Sequence, residues 1–323
     1  MATIPCARYL DRYKFDTILS EITKFMNSPI NIKFLDQWKL LLKAQTYCDY
    51  INDHTVYKDK YGNWRLLGTC AKEAYAFHKE RSFVEGVTQS LLKPMQGTGL
   101  KFTNIPHRSV KIAPHVYFDI KEKKYHLFFG PMIIYHFISE NGVDWEIADD
   151  AVRSLCPFLR DPHVIDAGSV YLMFCTNYGN KISVYTSKDL FSWSKEGTAL
   201  RLGRGIPKSI NSSCESPCVF AYKQGFMLLS TIVPSRLNKI ENSKNYNNTS
   251  VFYSDDPTNF GVYSLNKNNS SCLIGNIKSH ASELICEHNK LFLTTCGWKD
   301  SPKPDGVIGE GVFIREIIIN TNG

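Results

Sequence analysis

Two hydrophobic patterns divide the chain. In the first 45 residues, apolar positions recur at helical spacing: Phe15, Ile18, Leu19, Ile22, Phe25 and Met26 lie three or four apart. Ser28-Pro29 would stop that helix. Phe34, Leu35, Trp38, Leu41 and Leu42 repeat the spacing and predict a second one. From about residue 46 the pattern changes to short alternating runs bounded by polar turns, the signature of β-strands. We therefore expect an N-terminal helical segment over 1–45 and an all-β domain over 46–323.

The strand region repeats. A short polar or proline-containing lead, a few apolar residues, a polar turn and an aromatic-rich alternating run occur five times. The copies are "NDHTVYKDKYGNWRLLGT" from Asn52, "IAPHVYFDIKEKKYHLFFG" from Ile112, "RDPHVIDAGSVYLMFCT" from Arg160, "ESPCVFAYKQGFMLLST" from Glu215 and "HASELICEHNKLFLTT" from His280. A second element follows three of them: Ser139 precedes Trp145, Ser187 precedes Trp193 and Ser254 precedes Phe260, each by six residues and each after an alternating strand. Units of this length with three or four antiparallel strands, arranged radially, make a β-propeller, and five units make five blades.

In a propeller the innermost strand of each blade begins near the axis, so equivalent lead positions converge. The first lead position holds Asn52, Ile112, Arg160, Glu215 and His280, and the next holds Asp53, Ala113, Asp161, Ser216 and Ala281. Three acids, Asp53, Asp161 and Glu215, are thereby expected around one pocket, with Asn52, Arg160 and His280 beside them. Charged groups are expensive to enclose unless paired or used. Turn capping is the structural alternative for the two aspartates, and Glu suits it less well.

Composition narrows the class. The chain has 323 residues, 43% of them hydrophobic and 21% charged, with no long block of like charge, which excludes a disordered chain. The net charge of +7 is spread along the sequence and fits solvated lysines, and no nucleic-acid motif is present. No run approaches the ~20 apolar residues of a membrane span. The start "MATIPCARYLDRYKFD" lacks the apolar core of a signal peptide. Ten cysteines fall without a framework spacing, so we expect a cytoplasmic protein with reduced thiols, whose sequons at Asn211, Asn247, Asn248, Asn268 and Asn269 are polar loops.

Hydrolysis of a glycosidic bond needs two carboxyl groups across the bond, one protonated and one ionised. Crowding acids in a partly dry pocket raises at least one pKa and makes that division possible near neutrality. The leads "NDHTV", "RDPHV" and "ESPCV" resemble those of the five-bladed propeller glycosidases, glycoside hydrolase families 43 and 62 and the related families 32 and 68. The resemblance spans roughly residues 46–320. It implies Asp53 as general base (or nucleophile, as in family 32), Glu215 as general acid, and Asp161 as the carboxylate that orients the sugar and tunes the acid. It also implies sugar contacts from Arg160, Asn52 and His280, and a weak axial ion near His280. Blade one departs from the pattern, with His54 where a proline usually follows the aspartate.

Trp298, in "TTCGWKD", is a candidate for the pocket rim, whereas Trp64, Trp145 and Trp193 suit blade anchors. His54, His115, His163 and His280 occupy three different offsets in the repeat, which favours packing over a metal ring, and Cys214 and Cys218 lack a partner C-x-x-C. We therefore expect no cofactor and no tightly bound catalytic zinc. The expected function is a glycoside hydrolase acting on a small furanoside or pentoside, with a carbohydrate partner, no nucleic acid and no membrane span. The alternatives are a glycosyltransferase or phosphorylase on the same fold, or a propeller that only binds sugar. "PHV" in blades two and three reads most like family 43 and favours inversion. Oligomeric state is not legible.

Overall fold

The computed structural model describes residues 30–48, 50–72, 77–103, 110–153, 159–177, 180–203, 213–233, 246–264, 272–297 and 310–321. The expected helix over Phe15–Met26, and Trp298, lie outside these residues. The described chain is β-structure throughout, apart from a single 3-10 turn at Phe77–Lys79.

Blade one is β3 (Tyr50–Lys58), β4 (Trp64–Ala71), β5 (Ser82–Thr88) and β6 (Gln96–Lys101), all antiparallel. Blade two is β7 (Ile112–Asp119), β8 (Lys124–Gly130), β9 (Ile133–Ser139) and β10 (Glu146–Arg153). Blade three is β11 (Arg160–Asp166), β12 (Tyr171–Asn177), β13 (Lys181–Ser187) and β14 (Ser194–Leu202). Blade four is β15 (Ser213–Tyr222), β16 (Gly225–Val233), β17 (Thr249–Ser254) and β19 (Leu273–Ile277). Its connecting strand β18 (Val262–Tyr263) crosses to pair in parallel with β14. Blade five is β20 (Leu284–Glu287), β21 (Lys290–Gly297) and β22 (Gly311–Thr321), completed by β1 (Ile30–Phe34) and β2 (Lys39–Lys43).

The packing makes these blades a ring. The second strand of a blade is covered on both sides by neighbouring blades, so its period-2 alternation sends apolar side chains both ways. In β8, Leu127 and Phe129 join blade one while Phe128 joins blade three. In β12, Met173 and Cys175 join blade two while Leu172 and Phe174 join blade four. Further clusters seal blade four to five (Leu229 with Leu293 and Phe313) and blade five to one (Ile285 and Val312 with Ile51 and Leu66). Five interfaces close five blades, as the repeats require. The serine turns also form: Ser139 Oγ accepts from Gly142 N (2.9 Å) and Ser187 Oγ from Leu190 N (3.0 Å). Ser254 Oγ does the same for Asp256 N (3.1 Å), and the aromatic partner of that turn, Phe260, is fully buried.

One expectation is corrected. Residues 34–42, expected as the second helix, fall instead across two strands that pair antiparallel along β22, Ile30–Phe34 against 317–321 and Lys39–Lys43 against 311–314. The propeller thus begins at least at residue 30, not 46, and the chain's early strands supply the outer edge of the last blade. The misleading spacing has a physical cause. A register shift between Leu40 and Leu42 turns the adjacent Leu41 and Leu42 both inward, and both are fully buried. Leu35, which the helix pattern counts as core, is 48% exposed. A bulge that breaks period 2 imitates period 3.6.

If this outer strand is part of the cooperative fold, Leu42→Ala lowers stability by about 2–5 kcal/mol, the range for a buried leucine. Leu35→Ala stays within about 0.5 kcal/mol, as surface changes do. Chemical denaturation of both variants checks this; equal effects would contradict the strand assignment.

Candidate active site

The inner strand of each blade faces the axis; all are sheet edges except β3, which β21 joins at the single pair Gly297–Ile51, and four of the five open with the same irregularity. The ladder slips between Ile51 and His54, Ile112 and His115, Arg160 and His163, and Glu215 and Cys218. At the slip, Ala113, Asp161 and Ser216 take positive φ (53°, 54° and 51°), and Ala281 does so in blade five (46°). Left-handed backbone at a non-glycine residue is strained and is sustained only by its surroundings. Pro114, Pro162 and Pro217 follow directly; lacking an N–H, they cost nothing on an edge with no neighbour to receive one. The effect is to turn lead side chains toward the axis.

Three acids meet there. Asp53 is 8% exposed, Asp161 2% and Glu215 5%. Arg160 bridges two of them: Nη1 donates to Asp161 Oδ2, and Nη2 donates to Glu215 Oε1 at 2.7 Å. Ser216 ties in the third, since its Oγ donates to Asp53 Oδ1 while its backbone N donates to Asp161 Oδ2 at 3.2 Å. Ser213 Oγ donates to Glu215 Oε1, and Ser230 Oγ donates to the Glu215 carbonyl at 2.9 Å. The expected trio is therefore one hydrogen-bonded network drawn from blades one, three and four.

Charge divides unevenly within it. Burial, then the Asp161 charge, push the Asp53 carboxyl up to about 7, against the opposing pull of the Ser216 hydroxyl and Arg160. Burial opposes the Arg160 cation, but Asp161, Tyr246 and Asp53 more than offset it and hold the guanidinium charged. One cation among three carboxyls leaves Asp53 poised to keep or lose its proton near neutrality.

The remaining expected residues form a second shelf. His280 is 3% exposed, and its Nε2 lies 2.8 Å from Asn52 Oδ1. Its backbone N donates to Thr295 Oγ1 at 2.9 Å, and its ring stands edge-on to Tyr246 at 4.9 Å. Asn52 also bonds Glu80, whose Oε1 accepts from Tyr50 OH at 2.7 Å.

Glu80 and Ser216 are the members the sequence reading missed. Glu80 is fully buried, and burial followed by the Asp53 charge raise its pKa to about 8. It sits in the β4–β5 connection, outside any lead, so repeat alignment carries no signal for it. Ser216 stands in the aligned second position, and that alignment was its only signal.

The comparisons with known proteins agree on architecture. No protein-family model and no curated protein sequence matches the chain. Among solved structures, the α-L-arabinofuranosidase of Podospora anserina in complex with cellotriose is similar at a TM-score of 0.62 and 12% identity, over 88% of this chain and 97% of that one. A thermostable family-43 glycoside hydrolase is similar at 0.58 and 15% identity, over 86% and 96%. The family-32 β-fructofuranosidase of Bombyx mori is similar at 0.58 and 15%, over 85% of this chain and 63% of that one. The chain thus has the five-bladed β-propeller fold of the family 43, 62 and 32 glycosidases. No helix among the described residues is long and apolar enough to cross a membrane.

A raised native pKa has a signed consequence. Asp53 binds its proton more tightly folded than unfolded, so its stabilising contribution is complete at low pH and is lost as pH rises toward 7. Asp53→Asn removes that loss. The variant should melt higher than wild type at pH 8, with a smaller gain at pH 5. Thermal unfolding at both values checks it, and a gain independent of pH would contradict the raised pKa.

Proposed function

We propose that the protein is a glycoside hydrolase that cleaves a small furanoside or pentoside by carboxylate acid–base chemistry. The observation that carries this is the buried network of Asp53, Asp161 and Glu215 around Arg160, set at the axis of a fold shared with glycosidases. A binder has no need to hold three carboxyls together at this cost.

In this reading Asp53 is the general base. Its pKa near 7 lies close to working pH, where a base combines an available ionised form with real proton affinity. It takes a proton from the water that attacks the anomeric carbon. Glu215 is the general acid that protonates the departing oxygen. Its carboxyl is gripped by Arg160 and Ser213, so arming it requires that grip to loosen. A sugar hydroxyl that draws Arg160 away would do this, coupling binding to catalysis. Asp161 orients Arg160 and the sugar, and Asn52 and His280 contact sugar hydroxyls. Two carboxyls doing acid–base work require no cofactor.

The sugar class rests on the similar structures, which include an exo-1,5-α-L-arabinanase and a β-xylosidase at 13% and 10% identity. The "PHV" leads favour inversion, the route in which Asp53 activates water instead of attacking the sugar.

Aryl arabinofuranosides, xylosides and fructofuranosides, each with and without inorganic phosphate, test the activity. Asp53→Asn and Glu215→Gln should each cut kcat by roughly 10²–10⁴-fold with the fold intact. Wild-type rates in both variants would refute the assignment. NMR of the first product should show the anomer opposite to the substrate's; the same anomer makes Asp53 a nucleophile. Turnover only with phosphate or an activated donor would replace hydrolysis by transfer.

A further inference from the structure

The fourth lead position is unused by this chemistry, yet it also converges on the axis. It holds Thr55, His115, His163, Cys218 and Glu283. His115 and His163 are the paired histidines of the two "PHV" leads. Although the four lead histidines scatter over three offsets, these two share one, and blade five adds a carboxylate at the same offset.

The geometry gathers them. One ligating atom from each of His115, His163 and Glu283 lies within 4.8 Å of the others. The two imidazole rings are 4.2 Å apart, centre to centre, and His115 Nδ1 is 3.8 Å from Glu283 Oε1. A tetrahedral ion with bonds of about 2.1 Å separates its ligand atoms by about 3.4 Å, so modest side-chain rotations close the gap. The axial channel beside them, lined by His163, Cys218 and Glu283 and reaching Asp53 and Asp161, has a cavity of about 20 Å³. That suffices for one water or one ion.

Three details favour an ion. His115 is 8% exposed, and neither ring nitrogen has a hydrogen bond of normal geometry, although the Val164 backbone is close. Buried polar atoms are rarely left so. His163 is already oriented as ligating histidines are: its Nε2 bonds the Val219 carbonyl at 2.9 Å, so Nε2 carries the proton and Nδ1 the lone pair. Glu283 is oriented too, with Oε2 accepting from Val56 N at 3.1 Å and a further bond from Thr55. His54 and the Cys218 thiol face the same carboxylate.

We propose that His115, His163 and Glu283 bind one divalent first-row transition ion, such as zinc, on the propeller axis. Two imidazoles and a single carboxylate suit such an ion, whereas calcium or magnesium requires more oxygen ligands. The ligand set shares no residue with the acids. The ion would pin blades two, three and five together and leave the hydrolytic carboxyls to act alone, which makes the site independent of the proposed activity.

The test uses full-length, tag-free protein, stripped with a chelator, reloaded with zinc and freed of excess. Elemental analysis should give one zinc per chain in wild type and in Asp53→Asn. His115→Gln, His163→Gln and Glu283→Gln should each lose it while remaining folded. Cobalt loading of wild type should give visible d–d bands that one equivalent of zinc abolishes, a readout that needs no variant to fold. Wild type without retained zinc, variants that retain as much as wild type, or cobalt without such bands would each overturn the site.

Discussion

Five inner strands cannot meet at one axis without their side chains sharing a channel. That constraint governs the rest of this structure. Apart from the single Ile51–Gly297 pair between β3 and β21, each inner strand is an edge, with no further partner to satisfy its backbone. In blades two, three and four the slipped ladder, the left-handed residue and the proline answer this together, by ending regular pairing where strands would otherwise crowd. The same device fixes what faces inward. A residue displaced by one position would point into an interblade core instead, because side chains alternate along a strand.

The channel is therefore layered by lead position. At its mouth the layers carry carboxyls and one guanidinium; two positions further along the strands they carry imidazoles, a thiol and a carboxylate. Burying three acids with one cation would be prohibitive if all three ionised. The network resolves this by leaving Asp53 near its titration point while Arg160 compensates Asp161 and Glu215. The buried Glu80, pushed up to about 8 by burial and the Asp53 charge, keeps its proton near neutrality and so adds little charge behind Asp53. The strained φ of Asp161 and Ser216 is held by bonds from the very groups it serves, so the backbone irregularity and the electrostatics support one another.

Ring closure is the other condition. The apolar clusters between blades hold neighbours face to face, but the last blade requires an outer strand that the C-terminal repeat does not contain. Strands 30–34 and 39–43 provide it by pairing along β22. The two ends of the described chain are thus joined, and axial geometry depends on residues distant from the site.

Much of this was legible in the linear chain. Repetition is a local property: each lead, turn and aromatic run forms the same unit wherever it occurs, so five copies imply five blades, and aligned positions imply one ring. Asp53, Asp161 and Glu215 were found that way, as were the serine turns at Ser139, Ser187 and Ser254. What lay outside the repeat was decided by the tertiary structure. Residues 34–42 read as helix because a bulge places Leu41 and Leu42 on one face, and only pairing with β22 defines that bulge. Glu80 joins the site through a connection whose path no spacing encodes. The pKa of Asp53 depends on burial and on the neighbouring Asp161, and the pairing of Arg160 with two acids depends on blade-to-blade distance. Pattern specifies which residues share an environment; only the folded chain sets the distances at which their charges act.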